Sequence, residues 1–278
     1  MANHPAFGDV LTRLLKHRRT DLTRLSSASG VTESEIRSLV SGTPPQASQL
    51  EGLAAAFGLH RADLCVIAGV AAPQPISPRD SAAGAAVVGL IRITMALPSN
   101  QRTQVNRFVE QLPSELEERP CVTPLIYDPH SAGLGATLVN LLCTNRNLHS
   151  LTAAAKTLAV LTEGRVYLAA STISGIGRGR VPLTADLVAG FATALGIPLG
   201  DLAAIAGFEL AEPSRSDDPL PAEMAALLWS CRRLTAVQVG RVCDEAESML
   251  VPVPEGAPAE EWNRVHHHHG RWWGAPRR

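Results

Sequence analysis

Lysine is almost missing from this chain. Lys16 and Lys156 are the only two, so arginine supplies nearly all of the positive charge. Aromatic residues make up 4%, which leaves the interior to leucine, valine, isoleucine and alanine. Neither sign of charge is in excess: 25 basic and 26 acidic side chains give a formal charge of −1. A global basic field that would advertise a polyanionic partner is therefore absent, although a local basic face needs none. Cys-x-x-Cys pairs are lacking, and the five cysteines, Cys65, Cys121, Cys143, Cys231 and Cys243, are odd in number. That pattern argues against a disulfide framework and fits small apolar residues in a reduced, cytoplasmic protein. No apolar stretch of about 18 residues is free of charge or proline, so no membrane span is expected. Met1-Ala2-Asn3-His4-Pro5 lacks the basic and apolar regions of a signal peptide.

What the chain does have is a copy of itself. Leu59 to Gly69 aligns with Ile197 to Gly207 at an offset of 138, with Asp63/Asp201, Leu64/Leu202, Ile67/Ile205, Ala68/Ala206 and Gly69/Gly207 in register. At an offset of 137, Ile36 matches Ile173, Gly42 matches Gly179, Leu90 matches Leu227, Leu97 matches Leu234, Gln101 matches Gln238 and Val105 matches Val242. A solenoid unit runs roughly 20–50 residues, so this spacing points to a duplicated domain. The 278 residues leave room for about two.

The periodicity is helical throughout. Phe7, Val10, Leu11, Leu14 and Leu15 draw one apolar stripe, closed by the cluster Lys16-His17-Arg18-Arg19 where cations suit the negative end of a helix. Asp21 caps a second helix through Leu22, Leu25 and Ala28, and Gly30 breaks it. Thr32 caps a third, with Ile36, Leu39 and Val40 on its buried side and Gly42 with Pro44-Pro45 as its stop. A fourth runs through Leu50, Leu53, Ala54 and Phe57 to Gly58, and Asp63 begins a fifth. Two more helices, Val87 to Leu97 and Ser99 to Leu112, follow a Pro/Ala/Ser-rich loop.

The second half repeats this order through Leu138, Leu141 and Leu142, then a helix capped by Ser150. A third carries Ile173 and Ile176, a fourth runs from Leu187 to Leu195, and a final pair spans Ala222 to Leu234 and Thr235 to Leu250. Thr235 and Gln238 have capping-box spacing. The divisions expected are 5–70, a linker 71–84, a helical pair 85–119, a linker 120–135, a second unit 136–210, a second pair 220–250 and a disordered tail 251–278.

The run Gly30-Val31-Thr32-Glu33-Ser34-Glu35-Ile36-Arg37-Ser38-Leu39-Val40-Ser41-Gly42 resembles the turn and recognition helix of the lambda-repressor/Cro (xenobiotic-response-element, XRE) helix-turn-helix family. Ser171-Thr172-Ile173-Ser174-Gly175-Ile176-Gly177-Arg178-Gly179-Arg180 resembles it more closely, and both runs continue into the family's Gly-Leu/Ile-x-x-x-Asp-Leu ending. The likeness covers residues 7–70 and 137–208. It implies an all-α protein of two tandem five-helix units, each followed by a helical hairpin, and a bacterial transcriptional regulator that binds double-stranded DNA. The arginine-rich, lysine-poor composition is similar to that of GC-rich bacterial proteins.

In this family the third helix sets its N-terminal side chains on base edges in the major groove. Carried over, the candidate DNA-binding residues are Thr32, Glu33, Ser34 and Arg37 in the first unit and Ala170, Ser171, Thr172 and Ser174 in the second. His149 and Ser150 open the second unit's second helix, where phosphate is gripped, while Arg146, Arg165, Arg178 and Arg180 surround a neutral third helix. Glu33 and Glu35 place negative charge where phosphate would approach, and Glu33 with Arg37 has the spacing of an i,i+4 pair. About ten extra residues lie between the first and third helices of the second unit, around Ala155 to Leu168, a weak likeness to the longer second helix of some nucleoid-associated regulators of this family.

Other features point elsewhere or nowhere. Gly175-x-Gly177-x-Gly179 lacks the preceding strand and the Lys-Ser/Thr of a phosphate loop. His266 to His269 has no second ligand cluster, so neither a metal nor a cofactor is expected. The tail interleaves Arg264, Arg271, Trp272, Trp273, Arg277 and Arg278 and suits either a phosphate backbone or a protein partner. No catalytic arrangement stands out, and an enzyme is not expected. The helical pairs carry stripes at Val87, Leu90, Ile91 and Met95, and at Met224, Leu227, Leu228 and Cys231. These suit an intramolecular pseudo-dimer or a true homodimer. An adaptor in which one or both units bind a regulator, sigma factor or toxin is the alternative to DNA binding.

Overall fold

A computed structural model describes residues 6–70, 80–113, 126–209 and 218–250. These residues form fifteen α-helices and no strand. The tail 251–278, with its histidine run and its Arg/Trp cluster, lies outside them, as do residues 71–79 of the first expected linker, 120–125 of the second, and Cys121.

The first five helices are α1 (Phe7–Arg18), α2 (Leu22–Ser29), α3 (Glu33–Val40), α4 (Ala47–Phe57) and α5 (Arg61–Ile67). Their limits follow the chemistry of their ends. Asp21 accepts from the Arg24 N–H, Thr32 and Glu35 form a reciprocal capping box, and Gly30 and Gly58 end α2 and α4 in the left-handed conformation. Val10, Leu11, Leu14, Leu25, Ile36, Leu39, Leu50 and Leu53 close the core between them. Val40, expected in that core, is 37% exposed.

The second set is α9 (Leu134–Asn145), α10 (Leu151–Leu161), α11 (Ala170–Gly177), α12 (Ala185–Leu195) and α13 (Leu199–Ala206). Its internal contacts follow the same order: third helix on first, third on second, fourth on fifth. The ten-residue excess is spread over the turn before α10, two residues longer than its counterpart before α2, α10 itself, with 11 residues where α2 has 8, and the turn before α11, five residues longer than that before α3. One close approach recurs. A Cβ on Gly8 would sit 2.6 Å from the carbonyl oxygens of Leu39 and Val40, and a Cβ on Gly135 would meet that of Ile176. Glycine therefore lets the N-terminal end of α1 touch α3, and that of α9 touch α11.

Part of the segment read as a linker is folded. Asp128 caps a one-turn helix, α8 (Pro129–Ala132), and the Asn140 side chain accepts from the N–H groups of Ile126 and Tyr127 and donates to the Tyr127 carbonyl at 2.7 Å. The Tyr127 ring lies against Gly177, where a Cβ would come within 2.6 Å of it.

The helical pairs, α6 (Gly84–Ala96) with α7 (Ser99–Gln111) and α14 (Leu220–Cys231) with α15 (Ala236–Ser248), pack together. Val87, Leu90, Ile91, Val105 and Val109 share a fully buried core with Met224, Leu227, Leu228, Val239 and Val242. Polar ties cross between the hairpins. Arg102 grips Glu223, Arg233 donates to the Val109 carbonyl at 2.6 Å, and Gln238 donates to the Pro113 carbonyl at 2.8 Å. The resulting four-helix block sits on the second set, with α6 against α10 and α14 against α12. Cys65, Cys143 and Cys231 are buried and Cys243 is half-buried, all as free thiols. Burial pushes the thiols of Cys143 and Cys231 up to about 12. Among the described residues no helix is long and apolar enough to cross a membrane.

Candidate nucleic-acid interface

The two sets meet by exchange: α1 lies on α13, and α9 lies on α5. Each contact is fastened by an arginine from the C-terminal end of a first helix. Arg18 donates through Nε to Asp201 Oδ1 at 2.7 Å and through Nη2 to Oδ2 at 2.5 Å. Arg146 donates to Asp63 Oδ1 at 2.9 Å and Oδ2 at 2.8 Å. Each arginine also caps the fourth helix of its own set, Arg18 on the Phe57 carbonyl at 2.9 Å and Arg146 on the Leu195 carbonyl at 2.6 Å. Asp63 and Asp201, which align in the sequence, thus take equivalent partners from opposite sets. The hydrogen bonds and charge of Asp201 hold the Arg18 guanidinium above its ordinary pKa despite partial burial. Arg13 adds bonds at 2.8 Å to the carbonyls of Ala204 and Ile205, at the end of α13.

Arg146 is accordingly not on the surface around α11, where the sequence reading put it. It is wholly enclosed, drawn inward by a carboxylate 83 positions upstream. Its guanidinium lies 4.8 Å from the ring centroid of Trp229 in α14, on which His60 stacks at 3.5 Å.

On α3, Thr32, Ser34 and Arg37 are exposed and Glu33 is half-buried. Glu33 accepts from the Thr23 hydroxyl at 2.7 Å and from Arg37 at 2.6 Å, so the i,i+4 pair is formed. Glu35 accepts from Thr32 and from the Gln49 amide, and these bonds, those from Thr32 foremost, hold its carboxyl below the usual range. Every charged group of this helix therefore has a protein partner.

The surroundings of α11 differ. No carboxylate lies on the helix, and Ala169 at its N-cap supplies no side-chain acceptor. Ala170 and Thr172 are half-buried, Ser171 is exposed, and exposed arginines flank both ends, Arg165 before the helix and Arg178 and Arg180 after it. Arg165 donates to the Thr162 carbonyl at 3.2 Å. Ser174 is half-buried and receives a 3.3 Å hydrogen bond from the Tyr127 hydroxyl, so it is tied to its own fold.

His149 is another correction. Both ring nitrogens are enclosed without a hydrogen-bond partner among the described residues. Burial holds its pKa down, against a pull upward from Asp80. It belongs to the joint under α6, where a Cβ on Gly84 would come 3.2 Å from the Asn147 carbonyl, and it presents no donor to phosphate. Ser150 is exposed and caps α10 by accepting from the Ala153 N–H.

Sequence reasoning missed Arg92 and Lys156. They line a groove of about 540 Å³ between α6 and α10 that opens beside Ala170, with Val88 and Ala153 on its walls and Tyr167 at its edge. Arg92 comes from the four-helix block, and its arrival there carries no local sequence signal. Tyr167 is 68% exposed. No protein-family model, curated protein or solved structure matches the chain.

Proposed function

We propose that the chain is a DNA-binding transcriptional regulator made of two XRE-like helix-turn-helix units, a tandem duplication paired within one polypeptide. The observation that carries this reading is the reciprocal exchange of first and fifth helices, fastened by Arg18 on Asp201 and Arg146 on Asp63. An interface in which the same two elements swap roles is the mark of two-fold pairing, and paired recognition helices are what a two-part duplex site requires. Each 12-residue first helix is about 18 Å long. It meets its third helix near its N-terminal end and the other set near its C-terminal end.

The second unit is the stronger reader. Ser171 and Thr172 open a helix without carboxylates, and Arg165, Arg178 and Arg180 flank it for phosphate. Thr32, Ser34 and Arg37 are the first unit's counterparts. The paired charges of Glu33, Glu35 and Arg37 favour a second reading for that unit alone, a surface that binds a protein.

Affinity selection from a random duplex pool, followed by sequencing, tests the proposal. Enrichment of a two-part motif is the result expected if both units read DNA, and a single short motif assigns reading to the second unit. Binding should weaken steeply with salt as phosphate counterions are released. Ser171→Trp should abolish selection while leaving the helical spectrum intact. No enrichment, together with a salt-resistant protein complex, would replace DNA with a protein partner.

A further inference from the structure

Helices α6 and α10 touch at Gly84, where a Cβ would lie 3.4 Å from that of Ala153. Beyond that contact small residues leave the gap between them unfilled. Ala85, Val88, Gly89 and Arg92 form one stripe on α6 at helical spacing, and α10 supplies Ala155, Lys156 and Ala159 across from it. The result is the groove of about 540 Å³. Gly89 is the informative residue in its wall. It stands inside a helix, where glycine is less stable than alanine. Its φ is not positive, and a Cβ there would meet nothing within 4 Å. Neither backbone conformation nor close packing calls for glycine, and the missing side chain keeps the groove wide.

The lining says what kind of molecule fits. Val88, Val160 and Leu168 join the alanines to make apolar walls. Arg92 enters from α6 and Lys156 from α10, and no carboxylate stands among the described residues that line the groove. Two cations beside an apolar trough complement a molecule with an anionic head and an apolar body. The volume falls within the range of roughly 300–1,000 Å³ that small-molecule sites occupy, and apolar walls with a few placed polar groups are their usual lining. A phosphate backbone would use the cations and leave the apolar walls to water.

We propose that this groove binds a small amphipathic carboxylate, its apolar body lying over Gly89 between α6 and α10 and its carboxylate held by Arg92 and Lys156. The occupant would touch both the four-helix block and, through Leu168 and Ala169, the turn that leads into α11. The site does not rest on the DNA reading.

Octanoate is the probe, titrated into the full chain by calorimetry beside octanol, which has the same body without the charge, and acetate, which has the charge without the body. Octanoate should saturate one site, octanol should bind roughly tenfold more weakly or worse, and acetate should not bind. Gly89→Leu should fill the groove and abolish octanoate binding without lowering the urea midpoint, because leucine is the better helix former and its Cβ meets open space. Replacing Arg92 and Lys156 together with glutamine should cost octanoate roughly tenfold in affinity and leave octanol unaltered. Equal affinity for octanoate and octanol would overturn the assignment of a carboxylate. Undiminished octanoate binding in Gly89→Leu would overturn the groove as the site, and so would a wild type that never saturates. Should Gly89→Leu fail to fold, the three probes on the wild type still decide. All of these readings are made without DNA, so failure of this site and failure of the DNA reading are distinguishable.

Discussion

Asp63 has no access to solvent, and its charge is tolerable because Arg146 and Asn145 meet it with three hydrogen bonds. Removing one partner of such a pair strands the other. Arg146→Met should therefore cost about 3–5 kcal/mol, read as a lower urea midpoint, and adding Asp63→Leu should recover much of it. Arg18→Met should cost less, because the Arg18 side chain is 36% exposed and water can replace part of what it loses. Equal losses at the two sites would show that burial does not set the difference. His60 and His149 supply a second prediction at this scale. Burial holds both below their ordinary value of 6.5, so the unfolded chain binds more protons than the folded one as pH falls below that value. Stability should be full above about pH 6.5 and decline on acidification. Replacing both histidines with phenylalanine should flatten that slope, and an unaltered slope would place the acid sensitivity elsewhere. Little of this was legible in sequence. Asp63 and Asp201 were visible as a recurring pair, but their partners lie 83 and 183 positions away, where no periodicity connects them. Arg146 shows the difficulty: a charged residue counts as surface until its partner is known.

At the scale of the element the sequence was far more informative. Caps and stops at Asp21, Thr32, Ser150 and Thr235, and at Gly30 and Gly58, fall where they were expected, because each is decided by a few neighbouring residues. The folding of Tyr127 and α8 against α11 was not legible, since it depends on Asn140 reaching back to a segment whose composition reads as loop. Gly8 and Gly135 give the prediction here. Alanine at either would press a Cβ into the backbone of the third helix, a contact no rotamer can relieve. Each substitution should destabilise by about 1–3 kcal/mol and, under the DNA reading, lower affinity further by tilting that helix. Gly89→Ala, where a Cβ meets nothing within 4 Å, is the control for helix α6. If Gly8→Ala and Gly89→Ala behave alike in denaturation, the close approach has no energetic weight.

For the whole molecule, the informative feature is that the halves do not part cleanly. The hairpin α6–α7 follows the first set in the chain, yet its first helix sits on α10 of the second set and its core is completed by α14 and α15. The sequence shows two apolar hairpins and suggests that they pair, but it offers no reason for both to sit on one set. Cutting the chain within 114–125 and co-expressing the pieces should give two fragments that co-elute, because the exchange of first and fifth helices and the four-helix block both hold across the cut. Fragments that elute apart would show that covalent continuity, not packing, keeps the sets together.

The interleaving also has a consequence during synthesis. The α6–α7 hairpin emerges from the ribosome about a hundred residues ahead of α14, a delay of roughly 5–20 s at ordinary rates of translation. Through that interval Val87, Leu90, Ile91 and Val105 have no mate, and the nascent chain carries a greasy half-bundle beside a first set whose α1 and α5 still lack the partners that pack on them. The protein is therefore most vulnerable to aggregation while it is being made, and the pace of the ribosome between the two hairpins becomes a determinant of its yield.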